Sequence, residues 1–505
     1  CSYMNPEELQ AFLRQHPWSD KDYWWETIHI YRLGIPLPLT VGDVSLMLYA
    51  SDSGIIDKDI FTCVQRYDPT FPPYDTLSHV LSSEELHTYH AYCLSIIAAK
   101  NADISPHYTS IERPLVALLA AMEKTGITIN TSLLIKTSQD ISLTLQTYQK
   151  DLNDAAGYSI NILSPKQLRQ WIYEELKAPT ASKTGKGQWS TSEEALEALI
   201  ADFPILQKVI DFRMLSKLRS TYCEGLLQLT DAAHRVHTHY DQRGTITGRL
   251  SSSEPNVQNI PIRSPIGRHI REAFIASEGK ILVSADYSQI ELRLMAHFSE
   301  DPTMLHAMQS GLDIHQSTAA TLFNISQHDV TEEQRRYAKT INFGLLYGMS
   351  AYGLAKQLHI TTHVAQSMIE KYFTLYPGVA LFMKEQIKRT ENQGSIQTFS
   401  GRTIGLSRNA SIKGWMQRLA LNAPMQGSAA EIIKKAMIHS GHHPFDDKCH
   451  LLLQVHDELV FEVHPSIMEN FVPFIRHAME NAAQLKVPLV VNIKAGENWE
   501  NMRPC

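Results

Sequence analysis

Cysteine is scarce in this 505-residue chain: six residues, at positions 1, 63, 93, 223, 449 and 505, with no Cys-x-x-Cys pair among them. That scatter argues against a zinc ribbon or a disulfide framework and points to a reducing, cytoplasmic setting. No apolar run approaches the ~20 residues that a membrane span needs, so no membrane role is expected. The opening CSYMNPEELQAF has no basic-then-apolar leader pattern. It also lacks an initiator Met, so the chain is expected to be a trimmed product or a cloned fragment. Positive charge is not in excess. The net charge of −7 does not advertise a nucleic-acid partner, although local fields decide that question more than the sum does. Internal repeats and low-complexity tracts are missing too, which excludes solenoids and fibrous arrays.

What is present is globular in character, with 43% hydrophobic and 20% charged residues. The length exceeds what one core serves, so roughly three or four domains are expected. Residues 1–108 are rich in aromatics and His, and SSEELHTYHAYCLSIIAAK predicts a helix capped by Ser82 or Ser83. A helical unit follows over about 110–232. ERPLVALLAAMEKTG ends at Gly126, a further helix spans 130–155, and LSPKQLRQWIYEEL starts with Ser164 as cap and Pro165 in its first turn. The basic loop KTGKG interrupts this unit. Strand and turn composition then takes over, and KILVSADYSQIELRLMAHFS reads as strand, turn and amphipathic helix, with Ile290, Leu294 and Phe298 on one face. Helical patterns dominate 301–440, and a hairpin, a helix and a strand close the chain.

The hairpin LLLQVHDELVFEV, residues 451–463, is apolar and β-prone, yet carries His456, Asp457 and Glu458 in its middle. One reading is a plain turn at His-Asp. The other is a carboxylate tip holding a divalent cation, since hard ions take one or two carboxylates plus substrate phosphates. ILVSADYSQIELR repeats the oddity: an apolar strand delivers Asp286 at its end. Asp286 is either a cap for the next helix or the second carboxylate of a two-metal platform, if the two strands are sheet neighbours. In EEQRRYAKTINFGLLYGMSAYG, Arg335, Lys339, Phe343 and Tyr347 recur every four residues. On a helix they share one slowly drifting face over roughly 18 Å. Cations followed by aromatics suit a nucleoside triphosphate; a solvated basic turn leading into a core stripe is the alternative.

Together these stretches resemble the family A DNA polymerases, the bacterial DNA polymerase I family, and within it the large fragment that lacks the 5′-nuclease. DYSQIELR (286–293), RRYAKTINFGLLYG (335–348) and QVHDELVFEV (454–463) match the family's motifs A, B and C. TGRLSSSEPNVQNIPIR (247–263) and LNAPMQGSAAEIIKKAM (421–437) match two further family stretches, all in collinear order over about 110–505.

The resemblance implies an α+β multidomain chain with a right-hand polymerase fold. The thumb would be 109–235, the palm 236–300 together with 430–505 around an antiparallel sheet, and the fingers 301–429. A degenerate, ribonuclease H-like 3′–5′ exonuclease domain would occupy 1–108. The implied activity is DNA-templated addition of deoxynucleotides to a primer 3′-hydroxyl, with pyrophosphate released, in replication and repair. Asp286, Asp457 and the Tyr287 carbonyl would bind two Mg²⁺ ions, for which Mn²⁺ can substitute, with Glu458 at the edge. Arg335, Lys339, His315 (in DIHQSTA) and Gln289 would hold the triphosphate, Lys339 as general acid. Glu291 against Tyr347 would form a steric gate against the 2′-hydroxyl, and Phe343, where some relatives carry Tyr, implies discrimination against dideoxynucleotides. Arg249, Arg418, Asn422, Gln426 and His456 would contact primer-template, several in the minor groove. Lys217 and Arg219, with KTGKG, would grip its backbone. A monomer in the bacterial cytoplasm, associated with the nucleoid, completes the implied picture.

Departures from the family pattern fall mostly in the first region. No Asp-x-Glu strand opens the chain, Glu26 stands where Asp is expected, and Cys93 replaces the Asp of a Tyr-x-x-x-Asp motif. A neutral thiol is no ligand for Mg²⁺, so proofreading is expected to be absent. The run between SGRT (400–403) and Arg418 is shorter and less basic than is usual in the family. Glu291 weighs against an RNA polymerase, and the intact aspartates weigh against a catalytically dead accessory subunit.

Overall fold

The computed structural model describes residues 106–179, 187–262, 264–406 and 413–505, with 42–51 and positions 23–24, 28 and 64 ahead of them. The expectations for Glu26, Cys93, the helix within 82–100 and residues 183–186 lie outside the described residues.

Helix α1, Val44–Ser51, is buried over residues 44–50. Helix α2, Arg113–Thr125, ends as its sequence predicts, at Gly126 with φ 63°. A Cβ at Gly126 would meet the Val236 carbonyl at 2.6 Å, so the turn into β1, Ile127–Ile129, admits only glycine. Helix α3, Thr131–Ala156, begins where the Asn130 side chain accepts the Leu133 N–H at 3.0 Å and stops at left-handed Gly157. With α4, Ile205–Leu218, it forms the helical unit, whose core holds Leu134, Ile141, Trp171, Leu206 and Phe212. Strands β2 (Arg235–Val236), β3 (His239–Asp241), β4 (Ser251–Ser253) and β5 (Phe274–Ile275) follow; β2 and β5 flank β1, and β3 pairs with β4.

The chain then enters its main sheet through β6, Ile281–Tyr287, and leaves it as α5, Ile290–Ser299. Helices α6 (Ile314–Phe323) and α7 (Glu332–Leu346) pack together, and α8, Lys413–Gly441, runs unbroken through residue 429, the expected limit of the fingers. Strands β7 (Cys449–Val455) and β8 (Glu458–Val463), helix α9 (Met468–Glu480), and strands β9 (Val491–Gly496) and β10 (Arg503–Pro504) complete the order. The main sheet runs β7-β8-β6-β9-β10, antiparallel throughout.

This topology explains why the hairpin strands are apolar without alternation: both faces of the sheet are covered. Leu459, Phe461 and Val463 join one core with α5, α8 and α9, while Val460 joins the other. A β-bulge between Leu451 and Leu453 shifts the register of β7. Leu451 therefore faces the first core, and Leu452, Leu453 and Val455 face the second.

A buried charge cluster fastens α2 to α8. The Glu112 carboxylate, fully buried, meets Lys434 Nζ at 2.7 and 2.9 Å, His107 Nε2 at 2.9 Å and Gln242 Nε2 at 2.8 Å. Burial alone would raise the Glu112 pKa, but Lys434 and His107 outweigh it and hold the carboxyl well below the usual range.

Candidate active site

The sheet register brings the two aspartates together. β8 pairs with β6 so that Glu458 faces Asp286, and the Tyr287 N–H donates to the Asp457 carbonyl at 3.1 Å. His456 and Asp457 make the turn between β7 and β8, with His456 left-handed at φ 55°. His is among the residues that tolerate this region best. Asp286 is not a helix cap, because α5 starts at left-handed Gln289 with no side-chain cap. Among the described residues neither the Asp286 nor the Asp457 carboxylate makes a hydrogen bond or ion pair.

Both are set against ionisation. Burial, then Glu458 and Asp457, push Asp286 up to about 7. Burial raises Asp457 as well, opposed by the nearby Arg249 guanidinium. Glu458 is instead engaged elsewhere: it accepts from Ser284 Oγ at 2.5 Å and Trp499 Nε1 at 3.0 Å, with Arg271 Nη2 at 3.9 Å. Arg271 stacks over Trp499 at 3.8 Å. Two desolvated, unpaired carboxylates at neighbouring strand tips form an oxygen-donor set of the kind hard divalent cations take, completed from outside the protein. Among the described residues no group of three or more His, Cys, Asp or Glu side chains could hold a metal ion.

Helix α7 supplies the second half of the site. Thr331 and Gln334 form a capping box at its start. Arg335 Nε lies 2.7 Å from Asp313 Oδ2, and Asp313 in turn caps α6. Lys339, one turn on, is exposed, and Phe343 is half-buried. His315, 2% exposed, lies beneath them with its ring centre 5.7 Å from that of Phe343. Burial lowers the His315 pKa to about 4, so the ring is neutral. Asn342 Nδ2 sits 2.9 Å from His315 Nδ1 and donates to it, which assigns the ring proton to Nε2. Tyr347 falls just off the expected helix: α7 stops at Leu346, Tyr347 is its C-cap, and Gly348 turns left-handed at φ 72°.

That C-cap position aims the Tyr347 hydroxyl at Glu291, to which it donates. The other Glu291 oxygen meets Arg249 Nη2 at 2.6 Å. Glu291 is 5% exposed; burial raises its pKa while these two partners oppose the rise. On α8, Arg418, Asn422 and Gln426 follow at helical spacing, and Arg418 Cγ lies 3.8 Å from where a Cβ on Gly348 would sit. Among the described residues the buried Asn422 Oδ1 has no hydrogen-bond partner. His456 is exposed at the hairpin turn, and burial of part of its ring followed by Arg249 hold it below its usual pKa. Lys217 and Arg219 belong to the separate helical unit. Lys217 is exposed, whereas Arg219 is engaged locally by Glu224 at 2.8 Å and Ser138 at 3.2 Å.

The family profile described as DNA polymerase family A matches residues 131–501. The chain belongs to DNA polymerase family A. DNA polymerase I of Pseudomonas aeruginosa is 44% identical over 400 residues, covering 78% of this chain and 44% of the relative. DNA polymerase I of Geobacillus stearothermophilus is 43% identical over 399 residues, covering 77% of this chain and 45% of the relative. This chain therefore spans about half the length of the curated relatives it matches. Among solved structures, the POL domain of Pol1 from M. smegmatis, in complex with DNA primer-template and dNTP, superposes with a TM-score of 0.86 at 34% identity. The match covers 99% of this chain and 90% of that one, so the fold is the mixed helix-and-sheet polymerase domain of family A. Among the described residues no helix is long and apolar enough to cross a membrane.

Sequence reasoning missed the residues that hold the functional ones: Asp313, Asn342, Arg271 and Trp499. Asn342 alone left a signal, as an amide inside the apolar helix stretch TINFGLL. Asp313, Arg271 and Trp499 act across tertiary contacts that no local pattern encodes.

Proposed function

We propose that this chain is a DNA-templated DNA polymerase that adds deoxynucleotides to a primer 3′-hydroxyl and releases pyrophosphate. One observation carries the reading. The β6–β8 register brings Asp286 and Asp457, desolvated and unpaired, to neighbouring strand ends in a chain of family A. Family A polymerases use divalent cations, and the oxygen-donor pair fits such ions. Asp286, Asp457 and the Tyr287 carbonyl would hold Mg²⁺. When bound, the two ions lower the pKa of the primer hydroxyl and stabilise the leaving group.

The chain's own residues do the rest. Arg335 and Lys339 draw the triphosphate to the face of α7, and Lys339, exposed and one turn from Arg335, protonates the departing pyrophosphate. Neutral His315 offers Nε2–H as a donor, with its ring fixed by Asn342. Gln289, half-buried at the head of α5, is a further polar contact for the nucleotide. Phe343 forms the apolar floor under the sugar and disfavours dideoxynucleotides. Glu291, held by Tyr347, closes the space that a 2′-hydroxyl would fill. Arg249, Arg418, Asn422, Gln426 and His456 line the path of primer and template. They present donors to the minor-groove acceptors common to all correct pairs.

We assign 109–235 as thumb, 236–300 with 430–505 as palm, and 301–429 as fingers. The thumb would carry the salt-sensitive contacts of Lys217 and Arg219. We further propose that proofreading is absent, because Cys93 stands where the family motif has Asp and a neutral thiol is no ligand for Mg²⁺. The test of the catalytic assignment is Asp457→Ala. Primer extension should fall to background while primer-template affinity stays within about twofold, since other residues supply the phosphate contacts. Loss of binding together with extension would refute the assignment of Asp457 to catalysis.

A further inference from the structure

We propose that Tyr49 and Arg402 are positioning residues for nucleotide selection. They seat the turn that delivers Arg249 to Glu291, so helix α1, from the N-terminal region, is a working part of the polymerase site. The inference rests on the reading of Glu291 and Tyr347 as the gate.

The turn is Thr245–Gly248. Its Gly248 N–H donates to the Thr245 carbonyl at 3.3 Å, and Gly248 is left-handed at φ 88°. The same Thr245 carbonyl accepts the Tyr49 hydroxyl at 2.6 Å, from 196 residues away. Two residues on, the Thr247 carbonyl accepts Arg402 Nη2 at 2.5 Å. The guanidinium lies flush against the turn, because a Cβ on Gly248 would meet Arg402 Nη2 at 2.5 Å. Arg402 is itself fixed: its side chain is fully buried, Nε lies 3.2 Å from Glu431, and its guanidinium carbon is 5.7 Å from the Tyr49 ring centre.

The residue after this turn is Arg249, whose carbonyl accepts Thr245 Oγ1 at 2.9 Å and whose guanidinium reaches Glu291 at 2.6 Å. Glu291 thus has one oxygen on Arg249 and the other on Tyr347. A turn that slackens withdraws Arg249 and leaves Glu291 with one anchor instead of two. A tyrosine in the apolar stretch SLMLYAS could fill its place as well with a phenyl ring. The hydroxyl's observed use is the bond to Thr245, and burying a hydroxyl without a partner is costly.

The test compares single-nucleotide incorporation of deoxy- and ribonucleotides by the full chain and Tyr49→Phe. Tyr49→Phe should keep kcat/KM for matched deoxynucleotides within about twofold. Its deoxy-to-ribo preference should fall about fivefold, the scale of one hydrogen bond. In an Arg249→Ala background the same substitution should change the preference by less than about 1.5-fold, because both act on one path. Gly248→Ala, which pushes the turn off Arg402, should lower the preference in the same direction, and it reads the same path if Tyr49→Phe does not fold. A wild-type chain that extends no primer overturns the functional reading and this inference with it. A wild-type chain that extends and discriminates, while Tyr49→Phe or Gly248→Ala keeps its preference, overturns the positioning role alone. So does a fivefold loss that persists in the Arg249→Ala background.

Discussion

Glu291 joins three distant parts of the chain at one carboxylate. Arg249 follows the turn before β4, Tyr347 comes from the end of α7, and Glu291 itself from the first turn of α5. A buried carboxylate with two donors is held rigid, as the proposed gate against an extra hydroxyl requires. Glu291→Ala should open that space, and ribonucleotide incorporation relative to deoxynucleotide should rise by about tenfold or more, the scale on which pockets discriminate small groups. Single-turnover incorporation of the two nucleotide types measures it, and an unchanged ratio would remove Glu291 from selection. The residue types of the site were legible in the sequence, since carboxylates in apolar strands and cations at helical spacing are local patterns. The partners of Glu458 were not: Arg271, Ser284 and Trp499 converge from separate elements.

Among the elements, α2 and α8 depend on a charge cluster that no periodicity announces. Glu112 reads in sequence as one more acidic residue at the head of the helical stretch ERPLVALLAAMEKTG, yet it is fully buried against Lys434 and His107. Removing one partner of a buried pair leaves the other uncompensated. Glu112→Gln should therefore lower stability by about 3–5 kcal/mol at neutral pH. The pH dependence has a definite sign. The folded pKa of Glu112 lies below its unfolded value of about 4.3, so its contribution is complete above that value and fades as pH falls toward the folded one. The gap in urea midpoint between wild type and Glu112→Gln should be wide at neutral pH and start to close only below about pH 4, shrinking further with each step toward more acid conditions. A gap that is constant with pH would mean the carboxylate's charge is not what holds α2 to α8. Helix α3 shows the opposite case: expected over 130–155, it spans Thr131–Ala156, because its Asn cap and Gly stop are both local. Strand β7 lies between these cases. Its apolar run was plain, but the bulge at Leu451–Leu453 depends on pairing with β8 and left no mark in composition.

For the whole molecule, the net charge of −7 and the scattered cysteines narrowed the class without naming it. What the sequence carried was order: five motif stretches, collinear over about 110–505, fitting the family match over 131–501. The thread from Tyr49 through the Thr245 turn to Glu291 was not legible, because it runs between residues almost 200 positions apart. In the proposed function, Asp286 and Asp457 act together with the nucleotide face of α7 to make DNA. The most direct test is extension of a primed DNA template by the full chain with Mg²⁺, supplied with deoxynucleotides in one reaction and ribonucleotides in another. Extension with deoxynucleotides alone is the predicted result. Tight binding of primer-template with no extension in either reaction would contradict it.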